Sequence, residues 1–283
     1  MNHPLASALL LAALASSSFA GSFSDDFSTY AAGSTLGSPW TQSVPDNGGT
    51  LLYRVATDSS DVFGQGATNQ YLSISDTVGG TPNLQFYYAS SSIAGTSGQF
   101  SFSFYDPQVT SLATSTNNSG MMLRLGTSTS GAAGNTTSPF GFFVYNGGVY
   151  TNSVGLATID KTRLLATYSF ATAHTLTVVY NNGTAGVSYD NGARSVAAGT
   201  FDVWLDGSVV ATGLGKFNNN ASTAAIGNVT INGQSSGSVG YYLDNVAISS
   251  AITVSSIPEP ASAADLLGAG VLGVAALRRR RRA

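Results

Sequence analysis

From Gly21 to about residue 250 the hydrophobic positions recur with a period of two, the mark of strands with one face buried. Gln99–Tyr105 sets Phe100, Phe102 and Phe104 on one face and Ser101 and Ser103 on the other. Phe201–Leu205 sets Phe201, Val203 and Leu205 opposite Asp202 and Trp204. The same reading predicts strands over Leu51–Ala56, Gln70–Ser75, Asn83–Ala89, Met121–Gly126, Phe140–Tyr145 and His174–Tyr180. It continues through Ala185–Asp190, Ser208–Thr212, Ala224–Ile231 and Tyr241–Ser249. Turn formers bound these runs, and Asn146-Gly147 and Asn181-Asn182-Gly183 are hairpin signals. Thr110–Asn118 and Thr127–Ser138, rich in Ser, Thr, Asn and Gly, read as long loops. About a dozen strands predict one all-β domain over 21–250, a jelly-roll β-sandwich, with 251–256 as a linker.

The two ends break the pattern. Leu5–Leu14 is apolar, and Ser18 and Ala20 place small residues three and one positions before Gly21. That is the core and exit of a secretory signal helix over 1–20, cleaved between Ala20 and Gly21 after passage through the secretion translocon. At the other end, Leu266–Leu277 is an uncharged stretch of Leu, Ala, Val and Gly, followed by Arg278, Arg279, Arg280, Arg281 and Arg282. As a helix it spans ~18 Å, against roughly 30 Å of bilayer hydrocarbon, which suits transient membrane insertion better than a lasting anchor. The Arg run would keep the extreme C-terminus cytoplasmic. Pro258 and Pro260 hold Glu259 in an extended segment just outside.

In that order, Pro-Glu-Pro, short hydrophobic helix and Arg cluster resemble the PEP-CTERM sorting signal over 257–283. The resemblance implies an exosortase-like membrane protease that recognises Pro258, Glu259 and Pro260, cleaves there and passes the protein to the cell surface or the extracellular matrix. Asp265, inside the hydrophobic stretch, departs mildly from the pattern and blurs where the helix begins.

Composition narrows the function. Only 9% of residues are charged, Gly is abundant at 33, and there is no Cys, so neither disulfides nor thiolate metal sites exist. Five of eleven basic residues are the terminal Arg run; the rest of the chain sets six basic against fourteen acidic residues. So few cations argue against nucleic acid as a partner.

Short segments of the domain resemble a known fold family. Ser24-Asp25-Asp26-Phe27, Phe201-Asp202-Val203-Trp204-Leu205-Asp206-Gly207 and Tyr242-Leu243-Asp244-Asn245-Val246 look like the first strand, a late strand-turn-strand and the final strand of concanavalin A-like, LamG-type jelly rolls. The resemblance implies that first and last strands lie side by side. That would bring Asp25 and Asp26 near Asp244 and Asn245, hard-oxygen groups that make Ca2+ the candidate cofactor.

Catalytic chemistry is sparse. His174 is the only His outside the signal segment, and Glu259, the only Glu, lies outside the domain. The Glu-x-Asp-x-Glu strand of the glucanases this fold resembles is absent. Asp202 and Asp206, read as one strand face, stand ~13 Å apart along it, too far for a retaining pair. Gly233-Gln234-Ser235-Ser236-Gly237 matches a nucleophile-elbow pattern but lies between strands, where that pattern has no meaning. No catalytic residue is assigned. Trp204, set opposite the core-facing side chains, is either exposed or covers a second layer, and it is the candidate glycan contact. The expected function is a non-enzymatic structural or adhesive surface protein in contact with extracellular polysaccharide. The alternative is a secreted polysaccharide-degrading enzyme, hydrolase or lyase, working with Asp carboxylates.

Overall fold

The structure is a computed structural model. It describes residues 21–255 except 45, 47–50, 77–84, 109–119, 135, 152–159, 161, 218–219 and 235–238. The predicted signal helix, with Ala20, and the whole sorting segment lie outside the described residues.

Two antiparallel sheets face each other. In spatial order the first holds β15 (Ser208–Gly215), β14 (Thr200–Leu205), β11 (Ala173–Asn181), β6 (Ser97–Tyr105), β17 (Val239–Ser249), β4 (Gln70–Asp76) and β3 (Leu51–Thr57). β1 (Ser22–Asp25) also pairs with β17. The second sheet holds β10 (Leu164–Thr167), β9 (Gly148–Thr151), β8 (Phe140–Tyr145), β7 (Gly120–Gly126), β16 (Asn228–Gln234), β5 (Gln85–Ala89) and β2 (Thr41–Val44). A separate hairpin joins β12 (Val187–Tyr189) and β13 (Arg194–Val196). This is the expected β-sandwich.

The core is aromatic and follows the alternation. Phe100, Phe102 and Phe104 of β6 are fully buried, and Phe100 and Phe102 meet Phe142 of the opposite sheet at ring-centroid distances of 6.4 and 6.2 Å. Tyr180, Phe201, Leu243 and Ile231 fill the same layer. Such a layer of interdigitated apolar side chains is what drives two sheets together. β7 and β8 are buried along their whole length, so a further layer covers the outer face of the second sheet.

The turns confirm one signal and correct another. Asn146 and Gly147 both take positive φ, 46° and 78°, and close the β8–β9 hairpin, as a primed turn requires. Asn181-Asn182-Gly183 does not make a hairpin. β11 pairs with β6 and β14, while the Asn181 side chain donates to the carbonyls of Ala185 and Val196 and ties the chain to the β12–β13 hairpin.

The expected side-by-side placement of first and last strands is present, with Phe23 opposite Ile248 and Asp25 opposite Val246. The expected linker is not free. Ile252 and Val254 pack on Trp204, Val179 and Val196, and Gln99 Oε1 accepts from the backbone N–H groups of Thr253 and Val254 at 2.7 and 2.9 Å. The packed domain therefore runs at least to Val254.

Candidate functional site

The predicted calcium ligands are brought to one edge but serve as internal hydrogen-bond acceptors. Asp25 accepts from Trp40 Nε1 at 2.7 Å, the Phe27 backbone at 2.8 Å and the Tyr30 hydroxyl at 3.0 Å. Asp26 accepts from the Ser28 hydroxyl and backbone, which lower its pKa. Asp244 is fully buried and accepts from Asn69 Nδ2 at 2.8 Å, Gln65 Nε2 at 3.3 Å and the Asn245 backbone at 2.7 Å. Burial raises its pKa to about 6, helped by the nearby charges of Asp26 and Asp58 and opposed by those hydrogen bonds. Asn245 takes a positive φ of 51° where the register of β17 against β6 shifts. Among the described residues no group of three or more His, Cys, Asp or Glu side chains is placed to hold a metal ion. The candidate calcium set is thus adjacent, and its three carboxylates accept hydrogen bonds from the protein's own groups.

Trp204 is corrected as a glycan contact. It is 1% exposed, beneath Tyr189 and Val196 of the β12–β13 hairpin, with Arg194 over its ring at 5.2 Å. It is the floor of a second layer and has no free face to offer.

The remaining catalytic candidates are structural. His174 is buried, with Nδ1 2.7 Å from Asp206 Oδ2 and Nε2 3.0 Å from the Ser169 carbonyl. Asp206 does not share a strand face with Asp202. It begins the β14–β15 turn with Gly207, at φ 51° and 74°, and its carboxylate also caps the Thr175 backbone. Asp202 is buried, accepting from the Tyr189 hydroxyl at 2.6 Å and the Gly213 backbone at 2.8 Å. Gly233 and Gln234 belong to β16, and the rest of the Gly-x-Ser-x-Gly match lies outside the described residues.

The outer face of the second sheet is closed by the 127–138 loop. Ala133 sits over β7 and β16: its N–H donates to the Thr230 hydroxyl at 2.7 Å, and its carbonyl accepts from Arg124 Nη1 at 3.0 Å. A Cβ at Gly126 would lie 2.5 Å from the Ala133 Cβ, so a glycine there lets the loop seat. Burial pushes the Arg124 guanidinium down to about 10.

Among the described residues one part of the first sheet's outer face carries no covering strand. On β4, β17 and β6, side by side in the first sheet, Tyr71, Tyr242 and Tyr105 stand half-buried in a row. Tyr71 and Tyr242 stack at 4.5 Å, Tyr242 and Tyr105 at 5.5 Å with planes 6° apart. Phe63 extends the row beyond Tyr71 at 5.8 Å. The loop after β3 folds over one side. Asp58 holds it, accepting from the backbones of Val62 and Phe63 at 2.8 and 3.0 Å, and Asn69 and Gln65 pin it to Asp244. Between loop and row lies a cleft of about 260 Å3 lined by Thr57, Asp58, Ser59, Tyr71, Tyr105 and Tyr242. Burial raises the Tyr71 pKa to about 12, with contributions from the hydroxyl of Tyr242 and the charge of Asp58.

No family model matches the chain, and no curated protein matches it by sequence. Solved structures share its architecture. A sialidase is 12% identical, with a TM-score of 0.50, over 81% of this chain and 18% of its own. A carbohydrate esterase from the Shiga toxin-encoding bacteriophage phi24B is 16% identical, with a TM-score of 0.46, over 77% of this chain and 90% of its own. An endo-β-1,4-glucuronan lyase from the fungus Trichoderma reesei is 14% identical, with a TM-score of 0.44, over 79% and 95%. At these identities the likeness concerns the sandwich fold alone, and this chain spans less than a fifth of the sialidase.

The tyrosine row was missed by sequence reasoning, yet it carries a signal. Tyr71 shares its phase with Ser73 and Ser75, opposite Leu72 and Ile74, and Tyr105 shares its phase with Ser101 and Ser103. A tyrosine on the polar phase of a strand is an aromatic ring that the core does not claim.

Proposed function

We propose that this is an exported protein, sorted through its PEP-CTERM-like tail to the cell surface or extracellular matrix, whose sandwich binds extracellular polysaccharide without catalysis. The observation that carries the display reading is the closure of the two chain ends. The Ser250 N–H donates to the Gly21 carbonyl at 3.0 Å. The mature N-terminus expected at Gly21 therefore meets the end of the last strand, and the tail that leads to Pro258, Glu259 and Pro260 continues from there through the packed residues Ile252 and Val254. A domain held there is tethered at one point, with the rest of its surface free.

Absence of catalysis is supported by the duties of the carboxylates. Asp25, Asp58, Asp106, Asp202 and Asp206 each hold a turn or a buried hydroxyl. A polysaccharide hydrolase needs two carboxyl groups flanking a bond, one of them free to protonate the leaving oxygen.

Intact mass and subcellular location of the protein from its native host test the display reading, beside a Pro258/Glu259/Pro260→Ala variant. The expected wild-type product starts at Gly21, ends near Pro-Glu-Pro and reaches the surface, and the variant stays in the membrane. A wild-type protein retained in the membrane through Ala283 would overturn the sorting reading.

A further inference from the structure

We propose that the cleft between the Tyr71–Tyr242–Tyr105 row and the loop after β3 is the glycan site, and that its ligand is a neutral, unsulfated polysaccharide. This rests on the binding reading above and names its site and ligand class.

The shape of the face comes first. Among the described residues the outer layers cover Trp204 on one half of the first sheet and Arg124 on the second sheet, while the tyrosine row stays half-buried and lines a cleft. The row crosses two strand spacings, ~10 Å, straight across from Tyr105 to Tyr242 and diagonally from Tyr242 to Tyr71. The cleft beside it, about 260 Å3, is near the small end of ligand clefts (~300 Å3). Rings of fixed orientation beside hydroxyls suit a sugar, which has an apolar C–H face and a polar rim. Tyrosine supplies both contacts with little loss of side-chain freedom.

Rigidity follows from the loop. Two backbone N–H groups close on Asp58, and Asp61 accepts a third from Gly66 at 2.6 Å. A preformed wall lowers the ordering cost of binding.

Charge then selects among glycans. Asp58 lines the cleft, Asp244 lies under the loop, and no Lys or Arg is among the lining residues. Arg54, on the neighbouring strand, is paired with Asp46 at 2.9 Å. A uronate or sulfate ester would meet carboxylates without a cation to answer it, at a cost of like-charge repulsion. A protein partner is disfavoured by the polar wall of the cleft, formed by Thr57, Asp58, Ser59 and Ser60. The one large hydrophobic side chain exposed among the described residues, Leu164, is on β10 of the other sheet.

Position agrees with display. Tyr242 and Ser249, the last residue of the same strand, lie opposite Tyr105 and Gln99 of β6, about 20 Å apart at strand rise. The cleft thus stands away from the tethered edge.

Affinity electrophoresis of the full-length protein in native gels tests the proposal. The gels contain neutral polysaccharides (glucan, mannan, galactan, xylan) or anionic ones (alginate, polygalacturonate). Retardation by at least one neutral polysaccharide and by neither anionic one is expected. Tyr71→Ala and Tyr105→Ala should each weaken it about tenfold or more. Ser60→Trp, at an exposed position on the loop, should block the cleft while the melting temperature stays unchanged, and Tyr105→Phe should keep most of the retardation. Retardation by the anionic set alone, or by no polysaccharide, overturns the proposal. So does neutral-glycan retardation that Ser60→Trp leaves intact. Tail processing is read separately, so a failed cleft with normal processing refutes the site and leaves display standing.

Discussion

Asp244→Asn should change how stability depends on pH. Asp244 is fully buried, and burial sets its folded pKa to about 6 against 3.8 for the free group. Between those values the folded chain keeps a proton that the unfolded chain has lost, so stability falls as pH rises from about 4 through 6. The gap of about two pH units corresponds to ~3 kcal/mol as a ceiling. Water and relaxation of Gln65 and Asn69 around the carboxylate reduce this to roughly 1–2 kcal/mol. Asp26 and Asp58 carry charge near the same group, so the wild type alone would not isolate Asp244. The Asn variant removes that ambiguity, since it keeps the neighbours and cannot ionise. Urea unfolding of both proteins, in EDTA, at half-unit steps from pH 4 to 7.5 gives the difference in stability at each pH. Wild type should lose roughly 1–2 kcal/mol relative to the variant across that window. A difference that is flat, or that grows in favour of wild type as pH rises, refutes the burial argument and means that the hydrogen bonds to the carboxylate outweigh desolvation.

Three further outcomes test the packing. Trp204→Ala removes the floor of the layer formed by Tyr189, Val196, Ile252 and Val254 and should cost ~3–5 kcal/mol in chemical denaturation. Glycan retardation per folded molecule should be unchanged. Gly98→Ala should cost about 1–3 kcal/mol by the same assay, because its Cβ would lie 2.2 Å from the Ser249 carbonyl oxygen and 2.7 Å from the Tyr180 hydroxyl. Gln99→Ala removes the two backbone hydrogen bonds that hold Thr253 and Val254, and limited proteolysis with mass spectrometry should then show faster cutting within 251–255 at little change in melting temperature.

Strands were legible where one face met the core and the other met water or a thin layer. Phe100, Phe102 and Phe104 against Ser101 and Ser103 gave β6 almost to the residue. Short or edge strands escaped: β2 is Thr-Gln-Ser-Val, and β10 is Leu-Leu-Ala-Thr, with Leu164 exposed. Their stability comes from neighbours, β5 and β9, that lie far off in sequence or follow a tight turn, and a local window does not hold that term. The docked stretch 251–255 was hidden for the same reason. Its apolar residues, Ile252 and Val254, alternate like a strand but find a partner in Trp204, some fifty residues earlier.

The site was legible only in its phase. Trp204 and Tyr105 both occupy the outward phase of their strands, and from the sequence they are equivalent. What separates them is a hairpin, 187–196, that lies over one and not the other. A covering layer is a long-range decision made by Asn181, which bonds Ala185 and Val196 and turns the chain back over β14, and by Tyr189, which reaches Asp202. Where that layer stops, outward aromatic residues stay half-buried. Half-buried rings forfeit part of the burial that would stabilise the fold, which is about 1.5–3 kcal/mol for a fully buried large side chain. Three of them stacked across β4, β17 and β6, Tyr242 opposite Tyr105 and Tyr71 two residues off that register, beside a loop pinned in place by Asp244, are therefore better explained by a ligand than by the sandwich's own stability.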